Sequence, residues 1–254
     1  MDKGGFVRLV DTMPREDLDE AIVQAARVSY ADGTKSTRSN EGLIRYLMRH
    51  YHNTPFEMVE FKFHIKMPIF IARQHLRHRT ASVNELSARY SVMPSEFFLP
   101  DHYRKQSKTN KQGSEGVIED VDLSVVDVYC NSGFKIYQNL LDRDCCRELA
   151  RAHLPLSTFT EFYWKIDLHN LLHYLRLRMD EGAQKEIRDY AEAIYKLVED
   201  KVPITMKAFR DYRLNSINLT GLEIECLKNK KLPESPGERR EFLEKLKRLE
   251  INIE

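Results

Sequence analysis

The sequence predicts an α+β fold, a small mainly antiparallel sheet with several helices packed on it, from three observations. Short stretches alternate apolar and polar residues as half-buried strands do, and longer stretches repeat apolar residues every three or four positions as amphipathic helices do. No repeat or linker divides the order in which they come, which fits one layered core.

Residues 6–12 read as a short strand. Residues 16–29 read as a helix, with Leu18, Ala21, Ile22, Ala25 and Val28 at helical spacing, and residues 38–51 as a second. Val59, Phe61, Phe63 and Ile65 then alternate with Glu60, Lys62, His64 and Lys66, a half-buried strand. Pro68 opens the next helix, because a first-turn residue needs no backbone N–H. Residues 101–120 are polar, carry Lys105, Lys108 and Lys111 and have almost no apolar anchor, so the sequence predicts a mobile loop. Leu123, Val126, Cys130, Phe134, Tyr137, Leu141, Cys145, Leu149 and Ala152 are three or four apart, predicting one long helix that Pro155 ends. The β-branched and aromatic residues of 158–166 predict a strand. Helices are expected over 168–179, 183–202 and 204–213, with a charged helical extension after Pro236. Residues 1–215 are expected to form the working domain and 216–254 a C-terminal extension whose charges balance.

The chain has 254 residues, 42% of them hydrophobic, enough for a sizeable core. Forty basic and thirty-nine acidic residues give a net charge of +1, so no overall field would draw it to nucleic acid or an anionic membrane. Any anion site must be local. The apolar run at 67–72 is too short to span a bilayer, and Met1-Asp2-Lys3-Gly4-Gly5 lacks the apolar stretch of a signal peptide, which predicts a cytoplasmic protein. Cys130, Cys145, Cys146 and Cys226 show no disulfide or zinc spacing and read as reduced thiols.

The segment Arg73-Gln74-His75-Leu76-Arg77-His78-Arg79, followed by Glu85-Leu86-Ser87-Ala88-Arg89-Tyr90, gathers four arginines, a carboxylate and a hydroxyl within seventeen residues. Converging guanidinium forks suit phosphate oxygens, although a basic last turn of a helix would also offset the macrodipole. If 85–89 is extended, Glu85, Ser87 and Arg89 share one face. His50 and His52 flank Tyr51 near Glu57, but without a full ligand set they predict no metal. Arg178 falls in angular register with Leu171 and Leu175, so a guanidinium on an apolar stripe needs either a route to solvent or an anion. No G-x-G-x-x-G opens a βαβ unit and no G-x-x-x-x-G-K is present, so neither a dinucleotide fold nor a P-loop is readable.

Arg77-His78-Arg79, seven residues and then Ser87 resembles the R-H-R-x7-S signature of the flavin-dependent thymidylate synthases, with Arg73-Gln74, Asn84-Glu85 and Arg89-Tyr90 agreeing on its flanks. His52-x-Thr54-Pro55-Phe56-Glu57, Arg151 with Leu154-Pro155, and Arg178 with Ala183-Gln184-x-Glu186-Ile187-Arg188 resemble further segments of that family. The resemblance implies reductive methylation of dUMP to dTMP, with 5,10-methylenetetrahydrofolate as carbon donor and FAD, reduced by NADPH, as hydride source. It implies a homotetramer with sites shared between subunits. It assigns Gln74, His75, Leu76, Arg77, Glu85, Leu86, Ser87, Ala88, Arg89, Arg151 and Arg178 to dUMP, with Arg178 the catalytic residue at the pyrimidine. It assigns Ser29, His52, Thr54, Arg77, His78, Arg79, Glu85, Asp167, Leu168, His169 and His173 to FAD. The chain departs from the common family pattern where Asp167-Leu168-His169, His173 and Gly182 stand in place of residues more usual there. The rival reading is a non-catalytic nucleotide- or RNA-binding protein using the same arginines, which the near-zero charge and the lack of an aromatic stacking motif weaken.

Overall fold

The computed structural model describes residues 4–29, 38–108 and 112–252. The chain divides into two compact units, Met1–Phe209 and Arg210–Glu254.

The first unit runs β1 (Phe6–Met13), α1 (Leu18–Arg27), α2 (Asn40–Arg49), α3 (Thr54–Glu57), β2 (Glu60–Pro68), α4 (Ile69–His75), β3 (Ser82–Glu85), β4 (Arg104–Gln106), β5 (Ser114–Val117), α5 (Leu123–Leu141), α6 (Arg147–Ala150), β6 (Phe159–Asp167), α7 (Leu168–Arg178), α8 (Lys185–Glu199) and α9 (Pro203–Phe209). Four strands pair antiparallel in the order β1-β2-β6-β3. The alternation in β2 and β6 explains why these two are central. Phe61 stands opposite Ile166, Phe63 opposite Trp164 and Ile65 opposite Phe162, and all six are at most 2% exposed. Burying each such side chain contributes about 2 kcal/mol relative to leaving it in water.

Helices α4 and α7 continue directly from opposite ends of the paired strands β2 and β6. Both turn back over the same buried face, so their later turns meet above Trp164. The His75 ring lies 4.3 Å from Trp164 and 4.8 Å from Tyr174, and Trp164 lies 5.2 Å from Tyr174. Helix α8 packs on α7, α4 and β1 through a stripe that includes Ile187, Ala191, Ile194 and Val198, all wholly buried.

Four expectations need correction. The long helix stops at Leu141, because Asp144 takes a left-handed conformation (φ 58°) and α6 starts afresh at Arg147. The apolar spacing ran through the break because Tyr137 of α5 and Ala150 of α6 face one cluster with Met93. The polar segment 101–120 is not a featureless loop: β4 and β5 pair as a hairpin, with residues 109–111, including Lys111, outside the described set. Extended structure after Ser82 ends at Glu85, and Ser87 opens a turn whose carbonyl accepts from Tyr90 and Ser91 N–H, both at 3.0 Å. Glu85, Ser87 and Arg89 therefore do not line one strand face. Last, the helix expected over 204–213 is helical throughout but changes character, α-helical to Phe209 and π-helical over Arg210–Leu214.

The second unit opens with a π-helical turn, Arg210–Leu214, followed by α10 (Gly221–Asn229) and α11 (Pro236–Arg248). Thr220 and Glu223 form a capping box at α10, and Cys226, Phe242 and Leu246 form a small core. Among the described residues no helix is long and apolar enough to cross a membrane.

Candidate functional site

A cleft of about 640 Å³ is lined by Arg77, His78, Arg79, Thr80, Ile166, Asn170, His173, Leu177 and Arg178. Among the described residues, three arginines and no carboxylate line it, a set that would repel itself unless an anion entered. The turn after α4 supplies residues 77–80, and one face of α7 supplies Asn170, His173, Leu177 and Arg178. On α7 the three- and four-residue spacing brings these side chains to one side.

Arg178 is the best organised of the cations. Its Nε donates to Nε2 of His78 at 3.0 Å, and its Nη2 donates to the backbone carbonyl of Gln74 at 3.3 Å. An Nε2 that accepts requires His78 to be neutral with its proton on Nδ1. The electrostatics agree. Partial burial first, then the charges of Arg178 and His173, lower the His78 pKa to about 4. The guanidinium is thus held by two neutral acceptors, and its charge is left for whatever fills the cleft.

Behind this pair lies His75, wholly buried, with Nδ1 3.1 Å from the Tyr174 hydroxyl. Burial, helped by the charges of His78 and Arg178, pushes its pKa down to about 3. Burial likewise pushes the Tyr174 hydroxyl up. Tyr174 also carries the His78 ring edge-on at 4.9 Å, so α7 supports His78 as well as holding Arg178.

Gln74 begins a longer chain. Its Nε2 donates to Oε1 of Gln184; Gln184 Nε2 donates to Glu186 at 2.8 Å; and Arg104 of the β4–β5 hairpin donates to both Glu186 oxygens at 2.7 and 2.9 Å. Burial pushes the Glu186 carboxyl up, but donation from Arg104, from its own backbone N–H and from Gln184 outweighs it and holds the group below the usual carboxylate range. Its place in the first turn of α8 acts in the same direction.

The remaining expected site residues lie elsewhere. Glu85 accepts from Thr160 Oγ1 at 2.6 Å, six residues along β6 from Ile166 and hence about 20 Å away along that strand. Leu86 donates its N–H to Glu161 at 2.8 Å, and Ala88 packs toward Met93 and Tyr137. Ser87 Oγ accepts from the Arg89 N–H at 3.3 Å. Arg89 is exposed and 3.7 Å from Glu148 of α6, and Arg151 is exposed on the turn that follows that helix. The His75 and Leu168 side chains are wholly buried and Leu76 half-buried, so only the backbones of His75 and Leu168 can meet a ligand. Asp167 caps α7, accepting from Asn170 N at 2.9 Å and Asn170 Nδ2 at 2.7 Å. His169 is half-buried and, unlike His173, does not line the cleft. Ser29, His52 and Thr54 are exposed, and the His52 ring stacks with Tyr46 at 5.8 Å.

Sequence reasoning missed Thr80, Ile166, Asn170 and Leu177 in the cleft, and Arg104 and the role of Glu186 behind it. Asn170 and Leu177 were readable in principle, since they stand three residues before and four after His173. Arg104 carried no local signal.

The sequence profile described as Thymidylate synthase complementing protein matches residues 8–204. A protein of Dictyostelium discoideum named flavin-dependent thymidylate synthase is 54% identical over 234 residues, covering 88% of this chain and 77% of its own length. One of Thermus thermophilus with the same name is 52% identical over 235 residues, covering 92% and 86%. Among solved structures, a UMP/dUMP methylase, PolB, from Streptomyces cacaoi, bound with 5-Br dUMP, superposes with TM-score 0.75 at 34% identity, covering 84% of this chain and 97% of that one.

Proposed function

The chain belongs to the flavin-dependent thymidylate synthase family, and we propose from that membership and the cationic cleft that it converts dUMP, 5,10-methylenetetrahydrofolate, NADPH and a proton into dTMP, tetrahydrofolate and NADP⁺. The observation that carries the reading is the arginine-lined cleft with Arg178 held by neutral acceptors at its wall.

The cleft fits a phosphate-bearing redox cofactor, because its lining combines three guanidinium groups with the hydrogen-bonding side chains of Thr80, Asn170 and His173. Arg77, His78, Arg79 and His173 would hold FAD there. FAD, reduced by NADPH, supplies the hydride that no side chain of this chain can. Asn170 has its amide N–H donated to Asp167, which leaves its carbonyl oxygen for a donor on the ligand.

Arg178 meets the uracil. Negative charge grows on that ring as C5 attacks the methylene carbon, and a guanidinium already oriented by His78 and Gln74 stabilises this charge without reorganising. Ser87 has no base within reach among its described partners, so it serves as a phosphate ligand rather than a nucleophile.

Within one chain, Glu85 is bonded to Thr160 and Arg89 and Arg151 are exposed near Glu148, and none of the three lines the cleft that holds Arg178. In keeping with the family resemblance, the reading takes Glu85, Ser87, Arg89 and Arg151 of one subunit together with Arg178 of another, in a homotetramer.

Purified protein is expected to be yellow, to bleach when NADPH is added without oxygen, and to form dTMP once dUMP and methylenetetrahydrofolate are supplied. A colourless protein that does not take up added FAD would overturn the reading in favour of a binding module.

A further inference from the structure

The hydrogen-bond chain behind Gln74 has a direction that its chemistry imposes. Arg104 can only donate, and its Nε is fixed to Ser114 Oγ at 2.8 Å, so the hairpin presents a positive fork to Glu186. The ionised Glu186 can only accept. Gln184 must then turn its NH2 to Glu186 and its carbonyl oxygen to Gln74, and Gln74 must turn its NH2 to Gln184. An amide is free to flip in isolation, but here every link agrees with the fixed ends. The result is that Oε1 of Gln74 is the atom left to face away from Gln184.

We propose that Glu186, acting through Gln184, fixes the Gln74 amide with its carbonyl oxygen toward the nucleotide, so that the site selects a ligand carrying a hydrogen-bond donor at that point. Glu186 and Gln184 are positioning residues, distant in sequence from Gln74 by 112 and 110 positions. The inference rests on the reading that Gln74 touches dUMP. The geometry supports that contact, because the backbone carbonyl of Gln74 accepts from Arg178 Nη2 at 3.3 Å and so sets Gln74 beside the cleft-lining Arg178.

Two groups of dUMP offer such a donor, the ring N3–H and the sugar 3′-hydroxyl. Cytosine carries an acceptor where uracil has N3–H, so dCMP reverses the ring group and keeps the sugar. The 2′,3′-dideoxy analogue of UMP keeps the ring and removes the hydroxyl.

The test measures binding of dUMP and both analogues to FAD-loaded protein by calorimetry, for the wild type, Glu186→Gln, Gln184→Met and Gln74→Ala. Wild type is expected to bind one analogue roughly tenfold or more weaker than dUMP, the cost of facing an acceptor or leaving one unsatisfied, and that analogue identifies the donor. Glu186→Gln removes the obligate acceptor, lets both amides flip, and is expected to reduce this preference to about threefold or less. Gln184→Met breaks the chain while leaving Arg104 on Glu186, and is expected to do the same if Glu186→Gln fails to hold flavin. A merely structural role for Glu186 would weaken all three ligands equally. Equal weakening, or an unchanged preference in both flavin-loaded variants, overturns the proposal. If Gln74→Ala leaves the wild-type preference intact, the contact between Gln74 and the nucleotide is itself wrong.

Discussion

The wall of the cleft around Arg178 and the turn around Arg89 are both arginine-bearing, yet they are built differently. Arg178 is half-buried, its Nε and Nη2 are engaged by neutral acceptors, and its closest titratable neighbour is kept uncharged. Arg89 is more than half exposed and faces Glu148, also more than half exposed, at 3.7 Å. A fixed charge in a partly desolvated wall can stabilise a transition state, whereas an exposed one, screened by salt, attracts and orients an anion without much differential effect. Under the proposed function, catalysis and capture are thereby assigned to different regions of one chain.

The largest expected effect tests that separation. Arg178→Ala should lower kcat by about a hundredfold or more while the flavin absorbance is retained, since one preorganised donor is worth that much at a developing charge. Turnover within a few fold of wild type would leave the two regions functionally alike.

A smaller effect appears in stability against pH. His75 titrates near 6.5 when unfolded and at about 3 when folded, so the unfolded chain takes up the proton first as pH falls. The stability that its neutral burial confers is complete above about 6.5 and is lost between there and about 3, at up to about 1.4 kcal/mol per pH unit. His78 adds to this down to about 4. Melting temperature should therefore fall from pH 7 to pH 4 more steeply in wild type than in His75→Asn, measured by circular dichroism. Parallel curves would show that the proton goes elsewhere.

The smallest effect belongs to the exposed region. Arg89→Ala should weaken dUMP binding by roughly three- to tenfold and flatten its salt dependence, with kcat at saturating dUMP little changed, as expected of a screened surface charge. A large fall in kcat would make Arg89 resemble Arg178 and remove the contrast.

Much of this was legible in advance, for identifiable reasons. The alternation of Phe61, Phe63 and Ile65 with charged residues placed β2, since a strand side chain has only two faces. The signature from Arg77 to Ser87 pointed to the family because its residues are close in sequence. The break after Leu141 was hidden because α5 and α6 serve the same apolar cluster, so periodicity continued where the backbone did not. The hairpin at 104–117 was hidden because it has little apolar content of its own; Arg104 ties it to α8.

By itself the sequence determined the α+β class, the family and most of the helical and extended segments, because backbone periodicity and short motifs are local properties. Only the tertiary structure decided which side chains meet: His78 with Arg178, 100 residues on, Gln74 with Gln184, 110 on, and Arg104 with Glu186, 82 on. Orientation and protonation at the cleft follow from those meetings, since a histidine is neutral, or an amide points one way, only in answer to the groups folded against it.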